Sequence, residues 1–328
     1  MKHGGDLTEA IARHGGDPGS WLDLSTGINP WPWPIPQHLP ERAWQCLPSR
    51  AESEALLWAA RKAYGAPGGA GIAAAAGTQA LIQLLPYLAA PGPVAIVGPT
   101  YSEHALAWRS AGHPVIAIDD LAVCPPDAAH AVVVNPNNPD GRVTDRAALT
   151  RIATQLKERG GWLVVDEAFA DVDPAISAVA LCPDWPIVIL RSFGKFYGLA
   201  GLRLGFAVGA PDTIERIAAA LGPWPCSGPA LLIGTAALGD QAWADHTRSK
   251  LEQQARKLDK VLANAGFAIA GGTLLFRLAR HPHASRLHAA LAQRHIWCRS
   301  FDWADDLLRF GLPSDAAGLD RLAAALSD

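Results

Sequence analysis

Charge is scarce in this 328-residue chain: 28 lysines and arginines face 31 aspartates and glutamates, 18% of the residues in all. A formal net charge of −3 excludes the basic excess of a nucleic-acid-binding protein, and no run of like charges is long enough to act as a tail. No stretch approaches the roughly 20 apolar residues that a membrane-spanning helix requires. The opening MKHGGDLTEAIARHGG lacks the apolar core of a secretory signal, so the expected location is the cytoplasm. Cysteine is sparse too. The five (46, 124, 182, 226 and 298) lie far apart with no metal-site or redox spacing, which reads as reduced thiols. No internal repeat is present. The Gly-rich GAPGGAG (65–71) lacks a following Lys-Ser or Lys-Thr and so reads as a turn, not a nucleotide loop. HPHASRLH (281–288) has three histidines but no suitably spaced carboxylate, and reads as a helix start rather than a metal site.

What is there is apolar: 49% of the residues are hydrophobic, ample for a large domain and a smaller one. Residues 1–48, with WPWPIP at 31–36, read as an extended arm that joins the small domain. A helical pattern runs from Glu52 and stops at Gly65. GIAAAAGTQALIQLLPYLA reads as strand, turn and helix. VAIVG (94–98), HPVIAI (113–118), HAVVVN (130–135), GWLVVDEA (161–168) and PIVILRS (186–192) are short apolar runs bounded by turn residues. Helical windows such as DRAALTRIATQLKERG lie between them. Short buried strands separated by helices predict an α/β fold with a mostly parallel sheet over residues 49–222. After PWPCSGPA the pattern changes. Long helices (228–264 and 284–294), strands near 267–278 and 296–310, and a final helix predict a smaller α+β domain over 223–328. The twelve tryptophans are scattered and read as packing anchors.

In open α/β sheets ligands gather where strands end, so the polar residues at those junctions carry the functional reading. Asp166 closes GWLVV, Asn138 sits in NPNNPDG after AVVV, and Tyr101 follows VAIVGPT. Lys195 follows PIVIL, and Gly77-Thr78-Gln79 opens a helix after GIAAAA. Each has two readings. Lys195 is either a side chain reaching solvent or a desolvated amine able to form a Schiff base. Asp166 is either a turn acid or a carboxylate buried against a cation. Gly77-Thr78-Gln79 is either ordinary helix capping or an anion cradle, to which Ser192 and Arg203 would add a hydroxyl and a cation.

As a set, GTQ (77–79), PTY (99–101), NPNNPDG (135–141), DEAF (166–169), SFGK (192–195) and GLRLGF (201–206) resemble the pyridoxal-phosphate enzymes of fold type I, the aspartate-aminotransferase fold. The resemblance covers about residues 50–310. It implies a seven-stranded, mostly parallel sheet flanked by helices, a smaller domain and a homodimer. It further implies that Lys195 binds the cofactor aldehyde, Asp166 pairs with the pyridine nitrogen, Asn138 bonds O3′ and Tyr101 stacks on the ring. Gly77, Thr78, Gln79, Ser192 and Arg203 would hold the cofactor phosphate. Arg309, in LLRFGLP, resembles the arginine that grips a substrate α-carboxylate; its other readings are a surface ion pair or a contact to a substrate phosphate. Two positions depart from the family. Phe169 stands where many relatives have a Tyr reaching O3′, and Leu47-Pro48 where many have a Tyr-Pro reaching the neighbouring subunit's phosphate. Tyr64 is a possible substitute for the latter.

The arm narrows the reading. His3-Gly4-Gly5, Leu22-Asp23-Leu24-Ser25 and Asn29-Pro30 resemble the opening of threonine-phosphate decarboxylases of cobalamin synthesis, and Phe169 agrees with that group. This implies a small phosphorylated amino-acid substrate, with His3, Gly4 and Gly5 near an anion and Ser25 and Asn29 bordering the carboxylate pocket. Histidinol-phosphate aminotransferase is the alternative on the same scaffold. A fold kept only as a binding or regulatory module is opposed by the joint presence of Lys195, Asp166, Asn138 and Arg203.

Overall fold

The apolar runs bounded by turn residues become neighbouring strands. A computed structural model describes residues 4–327 of the chain. They fall into two units: residues up to Trp31, Pro139–Gly141 and the chain from Asp245 onward form the smaller, and Pro32–Asn138 with Arg142–Ala244 the larger. The N-terminal segment contains helix α1 (Thr8–His14) and a short strand β1 (Leu22–Leu24), neither of which the sequence pattern announced.

The larger unit begins with α2 (Arg42–Gln45) and α3 (Arg50–Tyr64). α3 opens with a capping box, in which the Ser49 hydroxyl accepts from the Glu52 N–H and the Glu52 carboxylate accepts from the Ser49 N–H. A cap of this kind contributes about 1 kcal/mol. The helix stops at Gly65, which adopts a left-handed φ of 62°. The sheet contains β2 (Gly71–Ala75), β3 (Val94–Val97), β4 (Val115–Ile118), β5 (His130–Val134), β6 (Leu163–Asp166), β7 (Ile187–Ser192) and β8 (Gly205–Gly209), in the order β2-β8-β7-β6-β5-β3-β4. From β7 across to β4 every pairing is parallel, and β8 alone is antiparallel, between β7 and β2. Helices α4 (Thr78–Leu88), α5 (Glu103–Ser110), α6 (Arg146–Lys157), α7 (Phe193–Phe196), α8 (Pro211–Leu221) and α9 (Gly228–Gly239) complete the unit. Strands β5, β6 and β7 are buried along their whole length, which is why they read as unbroken Val/Ile/Leu runs. One core joins Leu81, Leu85, Trp108, Val132, Val164 and Ile217.

The sequence reading placed residues 32–48 with the arm and 223–244 with the small domain; packing puts both stretches in the larger unit. The Trp33 indole N–H donates to Asp240 Oδ2 at 3.1 Å. Gly228 lies so close to Ala43 that a Cβ there would stand 2.3 Å from its carbonyl oxygen. The helical stretch 228–264 is also two helices, α9 and α10 (Gln241–Asn264). Asp240 leaves the helical region (φ −91°, ψ 73°), and its carboxylate accepts from the Trp243 N–H at 3.0 Å, capping the second helix.

The smaller unit continues with the hairpin β9 (Ala268–Thr273) and β10 (Phe276–Arg280), helix α11 (Ala284–Gln293), strands β11 (Ile296–Phe301) and β12 (Ala304–Gly311), and α12 (Ala316–Ser327). Its sheet has the order β1-β11-β12-β10-β9. β1 is an edge strand parallel to β11, with Leu22 opposite Ile296. No helix of the described residues is long and apolar enough to cross a membrane.

Candidate active site

Parallel strands deliver their carboxyl ends to one edge of a sheet, and this edge of the larger unit collects the residues picked out above. Asp166 ends β6 and Ser192 ends β7; Gly77 follows β2, and Gly205 opens the antiparallel β8 opposite both Ala75 and Ser192. The turn after β5 is held by its own asparagines. The Asn135 N–H donates to the Asp166 carbonyl at 2.8 Å, and the Asn137 side chain donates to the Pro99 carbonyl at 3.0 Å while accepting from Thr100 Oγ1 at 2.7 Å. Both are buried, and half-buried Asn138 follows them at the strand end.

Asp166 is 3% exposed, so its carboxylate needs partners. Oδ2 accepts from Nε2 of buried His104 at 2.9 Å, and Oδ1 from the Ala168 N–H at 3.0 Å. A carboxylate has about four acceptor positions, so capacity is left for a further donor such as a protonated ring nitrogen. His104 escaped the sequence reading because only the fold brings α5 under β6. Tyr101, one turn before it, is fixed as well. Its hydroxyl donates to Gln79 Oε1 at 3.1 Å, and Gln79 Nε2 donates to Glu103 Oε2 at 3.0 Å. Burial, then the Glu103 and Asp166 carboxylates, push the Tyr101 phenol up to about 12, so it stays a neutral donor.

The first turn of α4 has the form of an anion cradle. Gly77 (φ +84°) precedes it, and no side chain caps it, so its first N–H groups look outward. The backbone is pressed from two sides. A Cβ on Gly77 would meet Arg203 Nη2 at 2.6 Å, and one on Gly205 would meet the Thr78 nitrogen at 2.5 Å. The Ser192 hydroxyl does not cap the short α7 that follows it. Arg203 is exposed, with Nη1 donating to the Ala200 carbonyl at 3.0 Å. Backbone amides, a hydroxyl and a guanidinium around a glycine fit a phosphate. Lys195, on α7, is half-buried, its Nζ 5.7 Å from the centroid of buried Phe169. The residues at this edge therefore suit the phosphorylated pyridine cofactor that the motifs imply: a phosphate cradle, a buried acid, an amine and a stacking ring.

Behind the same strand ends lies a cluster that the sequence did not disclose. Glu167 follows Asp166, and Arg191 precedes Ser192. The Arg191 guanidinium donates to Glu167 Oε2 at 2.8 Å and to Asp171 Oδ1 at 2.5 Å. Ser177 Oγ and the Ala178 N–H donate to the two Glu167 oxygens, each at 2.6 Å. Burial opposes the Arg191 charge, but Asp171 and Glu167 more than offset it and raise the guanidinium above its usual value. Tyr64 belongs here. It is buried, edge-on to Phe206, with the Arg191 guanidinium 4.4 Å from its ring centroid. It is thus turned into its own unit and does not replace the Tyr missing at Leu47, which is itself exposed.

In the smaller unit, Arg309 lies on β12, buried, with Nη2 donating to the Ser25 carbonyl at 2.7 Å. Gly5 N–H donates to Ser25 Oγ at 2.9 Å, and buried Asn29 accepts from the Trp31 N–H at 2.9 Å. Gly4, Gly5, Ser25, Asn29 and Arg309 all belong to this unit, whereas His3 lies outside the described residues. Arg299 stands directly opposite Arg309 on β11 and was not singled out from sequence. Burial, then Arg299, lower Arg309 to about 10. Among the described residues no cluster of three or more His, Cys, Asp or Glu could hold a metal ion.

The model of the aminotransferase class I and II family matches residues 64–326. The chain belongs to this family. A threonine-phosphate decarboxylase of Sinorhizobium sp is 46% identical over 99% of this chain and 97% of its own length. One from Pseudomonas aeruginosa is 44% identical over the same shares of the two chains. In three dimensions, the histidinol-phosphate aminotransferase of Sinorhizobium meliloti, solved in complex with pyridoxal-5'-phosphate, superposes with a TM-score of 0.81 over 98% of this chain and 93% of that one, at 21% identity. That likeness bears out the α/β fold described above.

Proposed function

We propose that this aminotransferase-family chain is a pyridoxal-phosphate-dependent carboxy-lyase that converts L-threonine O-3-phosphate to (R)-1-amino-2-propanol O-2-phosphate and CO2 in cobalamin biosynthesis. The observation that carries the reading is the near full-length relationship to two threonine-phosphate decarboxylases. When bound, pyridoxal phosphate supplies the electron sink that takes up the pair left at Cα as the carboxylate departs.

The rest is the work of the chain's own groups. The amides of Thr78 and Gln79, with Ser192 Oγ and Arg203, would hold the cofactor phosphate; Gly77, whose own N–H is given to the Ala75 carbonyl at 2.7 Å, shapes the turn that presents them. Asp166, steadied by His104 and Ala168, keeps a proton on the ring nitrogen. Tyr101, pinned through its hydroxyl by Gln79, offers a fixed ring face for stacking. Phe169 has no hydroxyl, which leaves Asn138 as the donor to the ring oxygen and an apolar surface beside the Lys195 amine. Lys195 binds the cofactor and returns a proton to Cα after CO2 leaves.

Arg309 and Arg299 suit the substrate's two anionic groups. Like charges opposite one another on neighbouring strands are destabilising, and a ligand with a carboxylate and a phosphate neutralises both. Arg309, held at about 10, is cationic through neutral pH, so substrate affinity falls as pH rises through that value. His3, Gly4, Gly5 and Asn29 complete the substrate side in this reading.

Incubation of the holoenzyme with L-threonine O-3-phosphate should release CO2 without 2-oxoglutarate and form no ketone. Glutamate formed from 2-oxoglutarate and histidinol phosphate, without CO2, would instead identify an aminotransferase. We also assign a homodimer. Trp44, Leu47, Trp58 and Trp224 are each more than half exposed, and the Trp224 indole N–H donates to the Pro48 carbonyl, next to Leu47. Exposed aromatic side chains of this kind mark association surfaces. Sedimentation should give twice the 34.6 kDa chain mass, and a purely monomeric species would defeat the assignment. All five cysteines are free, which fits the reducing cytoplasm where we place the enzyme.

A further inference from the structure

Within the smaller unit, one serine ties together three separate pieces of chain. Ser25 is 1% exposed, and its polar groups are taken up by protein. Its hydroxyl donates to Asp23 Oδ1 at 2.6 Å and accepts from the Gly5 N–H at 2.9 Å. Its N–H donates to the same Asp23 oxygen at 2.8 Å. Its carbonyl accepts from Arg309 Nη2 at 2.7 Å. A residue so occupied has little capacity left for a substrate.

The N-terminal arm is shaped to this serine. A Cβ on Gly4 would stand 2.4 Å from the Ser25 carbonyl oxygen, the oxygen that receives Arg309. Gly5 has a φ of +89°, a conformation that L side chains rarely adopt. Two consecutive glycines thus meet the two oxygens of one residue, one through close packing and the other through a hydrogen bond. The carbonyl oxygen also fixes one edge of the planar Arg309 guanidinium and so the direction of the whole fork.

We infer that Ser25 is a positioning residue, a latch that couples docking of the arm at Gly4-Gly5 to the placement of Arg309, rather than a ligand bordering the carboxylate pocket. The inference rests on the proposed substrate only in its kinetic part: an anionic amino acid would be gripped best when Arg309 is aimed and the arm is docked. Asp23 serves the latch by holding the Ser25 hydroxyl in the orientation that accepts from Gly5.

Two variants of the full-length holoenzyme test it. Ser25→Ala removes the hydroxyl but keeps the carbonyl bonded to Arg309. Gly4→Ala leaves Ser25 intact and blocks docking by its added methyl. Amide exchange of residues 5–14, followed by mass spectrometry without substrate, should quicken at least about tenfold in both. The KM for L-threonine O-3-phosphate should rise about tenfold in both, with the bound cofactor's absorbance and affinity retained. Faster exchange at wild-type KM would overturn the coupling, and unchanged exchange in both variants would overturn the latch itself. Absence of CO2 from the wild-type enzyme would defeat the substrate reading, and the exchange comparison would still decide whether Ser25 holds the arm.

Discussion

Lys195→Ala is expected to lower CO2 release from L-threonine O-3-phosphate by about 10³-fold or more, with the folded enzyme retained. A positioned acid–base group contributes roughly 10²–10⁴-fold, and Lys195 has the further task of binding the cofactor. The prediction depends on where the backbone puts the amine. α7 leaves the end of β7 directly, and Gly194 lies so close to Ala200 that a Cβ would meet its Cα at 2.9 Å, which holds the turn tight. Lys195→Arg should fare little better, because a guanidinium keeps its proton at neutral pH and cannot pass one to carbon. The cofactor should still bind noncovalently to the alanine variant, since Gly77, Thr78, Gln79, Ser192 and Arg203 are untouched. Single-turnover measurement of CO2 is the check. A rate within tenfold of wild type would remove Lys195 from the reaction.

Arg191→Met is expected to destabilise the folded protein by about 3–5 kcal/mol, the usual consequence of removing one partner from a buried ion pair. The substitution roughly preserves volume but strands two carboxylates, Glu167 and Asp171, that are 0% and 4% exposed. Buried acids without a counter-charge must take up protons or bring in water, and either disturbs the strands that hold them. The damage should reach the active site, because Glu167 and Arg191 are the immediate neighbours of Asp166 and Ser192. Denaturant unfolding of the holoenzyme, with cofactor content measured alongside, tests both parts. A loss below about 1 kcal/mol would show that the cluster relaxes without its cation.

The strand-end residues of the candidate site were legible because their signals are local. VAIVG, HAVVVN, GWLVVDEA and PIVILRS are short apolar runs with a polar residue just past their ends, and strand termination is decided within a few residues. The same holds for Gly77-Thr78-Gln79, where a glycine precedes a helix start that no side chain caps. β8 was less visible, since GFAVG offers few side chains and its antiparallel place between β2 and β7 is a matter of pairing.

Sequence by itself thus determined the fold class, the strand-end residues and the chemistry they suit. Tertiary structure decided which side chains meet across long separations. His104 reaches Asp166, Arg191 closes on Glu167 and Asp171, and Arg299 stands against Arg309. Tyr64 turns inward, and Ser25 joins the arm to a strand 284 residues away in the chain. Hydrophobic periodicity records which face of an element is buried, because burial acts on each residue separately. It carries no record of which buried polar group will find which partner, because that choice is made only when distant segments pack and each group must be satisfied.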